Sequence, residues 1–207
     1  MIAISREKFV LNISRFIVFI GLISGLMYWR IDHIYRCLVA LIGLYIPDIV
    51  QNKFPHPPDK LKHILKPIYN DKTMAVLGVF IAVHVSLVNV PFTTIDLFHK
   101  EWRDADMISH FLGGLTVWLI TAEVVNEFSN HLSLKKRQFI LYSFLLFFTL
   151  GIGWEIAEKL SEGEISFIRE TAGNKVRDII MDTLGALFGL YLVEEKRFPF
   201  RLKLNNG

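Results

Sequence analysis

Three segments of the chain set acids, a histidine and glycines at helical spacing inside otherwise apolar stretches, and chemistry is most readily assigned to them. In DADMISHFLGG, Asp106 and His110 lie four residues apart on one helix face, and Gly113 and Gly114 follow about one turn deeper. In GIGWEIAEKLSEGE, Gly151, Glu155, Glu158 and Glu162 fall at offsets of 0, 4, 7 and 11. In RDIIMDTLGALFG, Asp178, Asp182, Gly185 and Gly189 repeat the same offsets, so two helices share one pattern of acids and glycines.

One imidazole among several carboxylates suits a divalent cation such as zinc, manganese or magnesium, and it suits acid and base work equally well. The residues expected to carry catalysis are His110, Glu155, Asp178 and Asp182; those expected to hold a divalent metal are Asp106, His110, Glu155 and Asp182. Two other readings of the same residues stand beside these. One is a buried network that fixes helix register, with Arg169, Lys175 or Arg177 neutralising the acids; the other is a proton or ion path.

The elements that must position these groups are long and apolar. Of 207 residues, 52% are hydrophobic and only 21% charged, with a mean hydropathy of +0.39, more apolar surface than one soluble domain buries. The single cysteine, Cys37, excludes an intramolecular disulfide framework and a multi-cysteine zinc site. A net charge of +3 is carried by basic residues that sit between apolar stretches, so they form no continuous surface for nucleic acid.

Six stretches match a hydrocarbon core of roughly 30 Å, which takes about 20 helical residues. They run from Phe9 to Trp29, Ile34 to Val50, Thr73 to Phe92, Ala105 to Val125, Gln138 to Ala157 and Val176 to Val193. The first has no A-x-A pattern after its apolar run and reads as an anchor rather than a cleaved signal peptide, with Arg15 snorkelling near its start. Between the second and third, Pro55, Pro57 and Pro58 break any helix, and DKLKHILKPIY can lie along the lipid surface.

The expected fold is all-α: a single domain of six transmembrane helices. Of the Lys and Arg residues, 15 fall on the side of the termini and 8 on the other, which places both termini in the cytoplasm of a cell whose inner membrane holds the protein. The start of span four, the end of span five and the start of span six then share the extracytoplasmic side. At about 1.5 Å per residue, His110 and Asp182 lie roughly 8 and 9 Å below the starts of their spans, with Glu155 roughly 3 to 5 Å in. The polar ends converge, and the glycines on the same stripes allow the three helices to approach closely.

Elsewhere the residues carry less. His84, with Ser86 and Asn89, reads as a hydrogen-bonded interior group, and Asp32 and His33 as loop residues. His56 and His63 fall in the cytoplasmic loop, Glu123 and Glu127 face water at the cytoplasmic end of span four, and Trp29, Trp102 and Trp154 anchor interfaces.

The combination DxxxHFxGG (Asp106 to Gly114), WExxE (Trp154 to Glu158) and DxxxDxxGAxxG (Asp178 to Gly189) resembles the YjdF family of bacterial inner-membrane proteins, as do the length and the six-helix layout. More distantly it is similar to the VanZ-like family, which includes teicoplanin-resistance proteins and shares a D-x-x-H-F start, a glutamate on the next helix and a D-x-x-x-N-x-x-G-x-x-x-G end. This chain carries Asp182 at the position of that asparagine. The likeness covers about the C-terminal half. It implies a multi-pass membrane protein and assigns no reaction. With no nucleophile elbow, Walker motif or haem signature in the chain, the residues suggest metal-assisted or acid–base hydrolysis or transfer on a lipid or envelope component at the outer leaflet.

Overall fold

The computed structural model describes residues 5–88, 103–161, 172–195 and 199–202, with the side chains of 87–88, 103–106, 130, 157–161, 172 and 174 outside that description. Among the described residues there is no strand. Six long helices follow the apolar stretches: α1 (Arg6–Met27), α2 (Ile31–Lys53), α3 (Asp71–Val83, extended by a π turn His84–Val88), α4 (Arg103–Leu132), α5 (Lys136–Ser161) and α6 (Ala172–Glu194). Four segments, Arg6–Met27, Ile31–Lys53, Met107–Ser129 and Lys136–Ile156, are long and apolar enough to cross a membrane.

Local signals set the helix ends. The Ser5 hydroxyl accepts from the Lys8 N–H to cap α1, and the Asn70 side chain accepts from the Lys72 N–H to cap α3. Trp29 and Ser133 adopt left-handed backbone, φ 53° and 48°, just past α1 and α4, where such a residue turns the chain out of a helix. The proline-rich stretch ends α2, and residues 59–69 then form short helical turns.

Two apolar cores result. Leu11, Val18, Cys37, Leu44, Met74, Ala82 and Val85 join α1, α2 and α3, whereas Trp118, Leu119, Ala122, Phe139, Phe147, Ala186 and Val193 join α4, α5 and α6. The halves meet through α3 and α4, which are clamped at both ends. His84 Nδ1 lies 2.7 Å from Ser109 Oγ at one end; at the other, Asn70 Nδ2 and Thr73 Oγ1 each donate to Glu123 at 2.7 Å.

Three expectations are corrected here. Arg15 does not snorkel: it is 6% exposed and wedged against α2, donating from Nη2 and Nε to the Leu44 carbonyl at 2.6 and 3.2 Å. Its Nη1 lies 2.7 Å from Asp48 Oδ2, and its guanidinium sits 4.3 Å from the Tyr45 ring centre. Asp32 and His33 belong to the first turn of α2 rather than to a loop, with His33 buried beside Gly21 and Gly25 and its Nε2 3.5 Å from Cys37 Sγ. Glu123 and Glu127 are buried at 1% and 7% exposure, because the 59–69 turns and the start of α3 cover that end of α4.

Because Arg15 keeps its carbonyl partner, Asp48→Ala removes only the charged arm of this clamp. A loss of about 1 kcal/mol is expected, read as a small drop in the thermal midpoint of the detergent-solubilised chain by circular dichroism. A midpoint equal to that of the unmodified chain shows that the pair adds nothing.

Candidate functional site

The site is built where α4 and α6 cross. Ala or any larger residue at Gly114 would put Cβ into the Asp182 carbonyl, and at Gly185 into the Phe111 carbonyl, so these helices touch backbone to backbone. Gly189 receives the Trp118 ring, whose Cε3 would lie 2.8 Å from an added Cβ, and Gly113 takes the Phe80 ring from α3. α4 is the hub of its half, and it packs more extensively on α6 than on any other helix.

This crossing sets His110 between two carboxylates one helical turn apart. His110 Nε2 lies 3.8 Å from Asp178 Oδ1, and Nδ1 lies 3.5 Å from Asp182 Oδ1. The two acids differ in surroundings: the Asp178 side chain is 2% exposed and also faces Arg177 Nε at 3.5 Å, whereas that of Asp182 is 29% exposed. A buried acid therefore faces one edge of the imidazole at ion-pair distance while a more accessible acid faces the other, an arrangement suited to moving a proton between the ring and the accessible carboxylate. The preceding residue on α4, Ser109, has its Oγ 2.7 Å from His84 Nδ1, which ties this stretch of α4 to the π turn after α3.

Of the residues expected to act together, the structure unites His110, Asp178 and Asp182. Glu155 is engaged differently: its Oε2 is 3.2 Å from Lys175 Nζ, an α5–α6 ion pair that lines one cleft with Asp182 rather than a fourth group on the imidazole. The glycine stripe of α5 does not mediate close packing as expected, since a Cβ at Gly151 or Gly153 would meet nothing within 4 Å. The side chains of Asp106 and Glu158, and all of Asn89, Trp102, Glu162 and Arg169, lie outside the described residues. Among the described residues, no three His, Cys, Asp or Glu side chains come together in a way that could hold a metal ion.

One functional-looking group is missed by sequence reasoning. Glu123 is a nearly fully buried acid with two donors, and Asn126, also buried on α4, donates from Nδ2 to the Arg201 carbonyl at 3.1 Å. The available signal is its spacing: Ser109, Thr116 and Glu123 are seven residues apart on α4, and all three are at most 2% exposed.

The class defined by this geometry is an all-helical protein with membrane-length apolar helices and a histidine–carboxylate site at a glycine crossing. The chain matches no protein-family model, no curated protein and no solved structure.

Proposed function

We propose that the chain is a six-span inner-membrane protein with both termini in the cytoplasm, which uses His110 and Asp182 as an acid–base pair on a lipid or cell-envelope component at the outer leaflet. Asp178 positions the imidazole, and the Glu155–Lys175 pair borders the site. The observation that carries this reading is the file Asp178–His110–Asp182, in which only the last acid is accessible. At about 1.5 Å per residue, α3 with its π turn reaches roughly 27 Å, and α6 is longer still, which supports counting both as spans. Lysines and arginines, 15 on one side against 8 on the other, support the orientation. The order of the DxxxHFxGG, WExxE and DxxxDxxGAxxG segments supports placing the chain near the YjdF and VanZ-like proteins.

Acid–base chemistry is favoured over metal-assisted chemistry because both ring nitrogens of His110 face carboxylates and Glu155 is held by a lysine. A second reading has its own observation. Two of the acids have a basic neighbour, Asp178 with Arg177 and Glu155 with Lys175, as a purely structural network would require.

The test is reconstitution of the full chain in liposomes of bacterial inner-membrane lipids, with lipid products followed by mass spectrometry. A modified lipid is expected from the unmodified chain, at a rate about 10²–10⁴-fold lower for His110→Gln and Asp182→Asn, with thermal midpoints preserved. No altered lipid, or variants as active as the unmodified chain, overturns the proposal. Variants that lose their thermal transition instead establish the structural network.

A further inference from the structure

Among the described residues α5 and α6 each pack on α4 and make little contact with one another, and this leaves a cleft of about 380 Å³ between them. Its walls are mainly apolar, with Phe147, Phe148 and Ile152 on α5 facing Ile179 on α6. Three charged groups share the cleft: Glu155, Lys175 and Asp182, the last being the accessible acid beside His110. The volume falls within the roughly 300–1,000 Å³ of ordinary ligand sites. Outside the cleft both helices continue as apolar surface, with Leu145, Ile156, Leu184 and Leu187 exposed, so with α5 and α6 read as membrane spans the opening faces bilayer hydrocarbon.

We propose that this cleft binds one zwitterionic aminophospholipid of the bilayer, its acyl chain between α5 and α6, its phosphate at Lys175 and its ammonium at Asp182 and Glu155. The inference rests on the reading of the chain as a membrane protein acting through His110 and Asp182, and it names the substrate class of that site. Hydrocarbon suits walls of phenylalanine and isoleucine, which offer water few hydrogen-bond partners. The headgroup follows from charge. The cleft presents one cation and two carboxylates, and a zwitterion satisfies both signs, the phosphate drawing Lys175 from Glu155 and the ammonium meeting the carboxylates that line the cleft. An anionic headgroup satisfies Lys175 alone and leaves two carboxylates facing a second anion.

Gly151 supplies the test, because it lines the cleft yet a Cβ there meets nothing within 4 Å. A phenyl ring introduced by Gly151→Phe fills the acyl path without disturbing the α4–α6 crossing. Gly153, equally unencumbered but not part of the cleft lining, serves as the control through Gly153→Phe. The full chain in detergent is titrated with dioleoylphosphatidylethanolamine or dioleoylphosphatidylglycerol, and bound lipid is counted by native mass spectrometry. Retention of the ethanolamine lipid is expected to exceed that of the glycerol lipid at least tenfold. It is expected to fall at least tenfold in Gly151→Phe at an unchanged thermal midpoint, to fall in Lys175→Gln, and to persist in Gly153→Phe. Equal retention of the two lipids, or full retention by Gly151→Phe, overturns the proposal. Failure of the acid–base reading is separately visible: lipid is then bound with this selectivity but emerges from liposomes unaltered.

Discussion

Gly185→Ala is expected to abolish the His110 site and to cost about 3 kcal/mol or more of stability, because the added Cβ falls on the Phe111 carbonyl and within 2.7 Å of the Leu115 backbone nitrogen. Neither obstacle is the end of a flexible side chain. Relief requires α4 and α6 to separate along the contact that fixes His110 against Asp178 and Asp182. For a chain of this length a loss of that size lowers the thermal midpoint by about 6–12 °C. Gly114→Ala, which meets the Asp182 carbonyl from the other side, is expected to act alike. Gly151→Ala, with open space around its Cβ, is expected to stay within about 0.5 kcal/mol of the unmodified chain. The measurement is thermal unfolding in detergent for all three variants. Equal midpoints for Gly185→Ala and Gly151→Ala would show that the crossing is not tight.

Glu123→Ala carries the second large effect, about 3 kcal/mol. It removes the acceptor of the Thr73 hydroxyl, which is fully buried, and of the Asn70 amide, and it opens a cavity between α3 and α4. Glu123→Gln keeps the shape but must turn its NH2 toward Thr73, whose hydroxyl then accepts instead of donating and loses its own acceptor. Asn70 cannot relieve the conflict by turning its amide, because its Oδ1 already caps α3 at the Lys72 N–H. A cost of about 1 kcal/mol is expected for the glutamine. Pairing Glu123→Met with Thr73→Val removes donor and acceptor together and is expected to recover part of the loss, a comparison made by a double-mutant cycle of unfolding free energies. Full additivity of the two substitutions would show that Thr73 and Glu123 are not coupled.

The helices themselves are written in the sequence. Apolar runs, the Ser5 and Asn70 caps and the cluster of prolines after α2 place α1 to α6 close to where they form. The candidate site is partly legible by the same means, since offsets of 0, 4, 7 and 11 put Asp178, Asp182, Gly185 and Gly189 on one face of α6, the face that meets α4. The identical offsets on α5 mislead. Gly151 and Glu155 share a stripe too, but that stripe faces a cleft, and Glu155 pairs with Lys175 instead of joining His110.

Spacing constrains one helix at a time, which is why the sequence alone determines the helices, their apolar character and the face each acid occupies. The rotation of each helix about its axis, and the partner it meets, belong to packing between helices. Backbone contact at Gly114 and Gly185 decides that His110 sits between Asp178 and Asp182. The turns at 59–69 and the start of α3 decide that Glu123 is buried rather than wet, and the Leu44 carbonyl decides that Arg15 turns inward rather than toward the surface. In each case the deciding group is far along the chain from the residue it controls, and only the tertiary fold brings the two together.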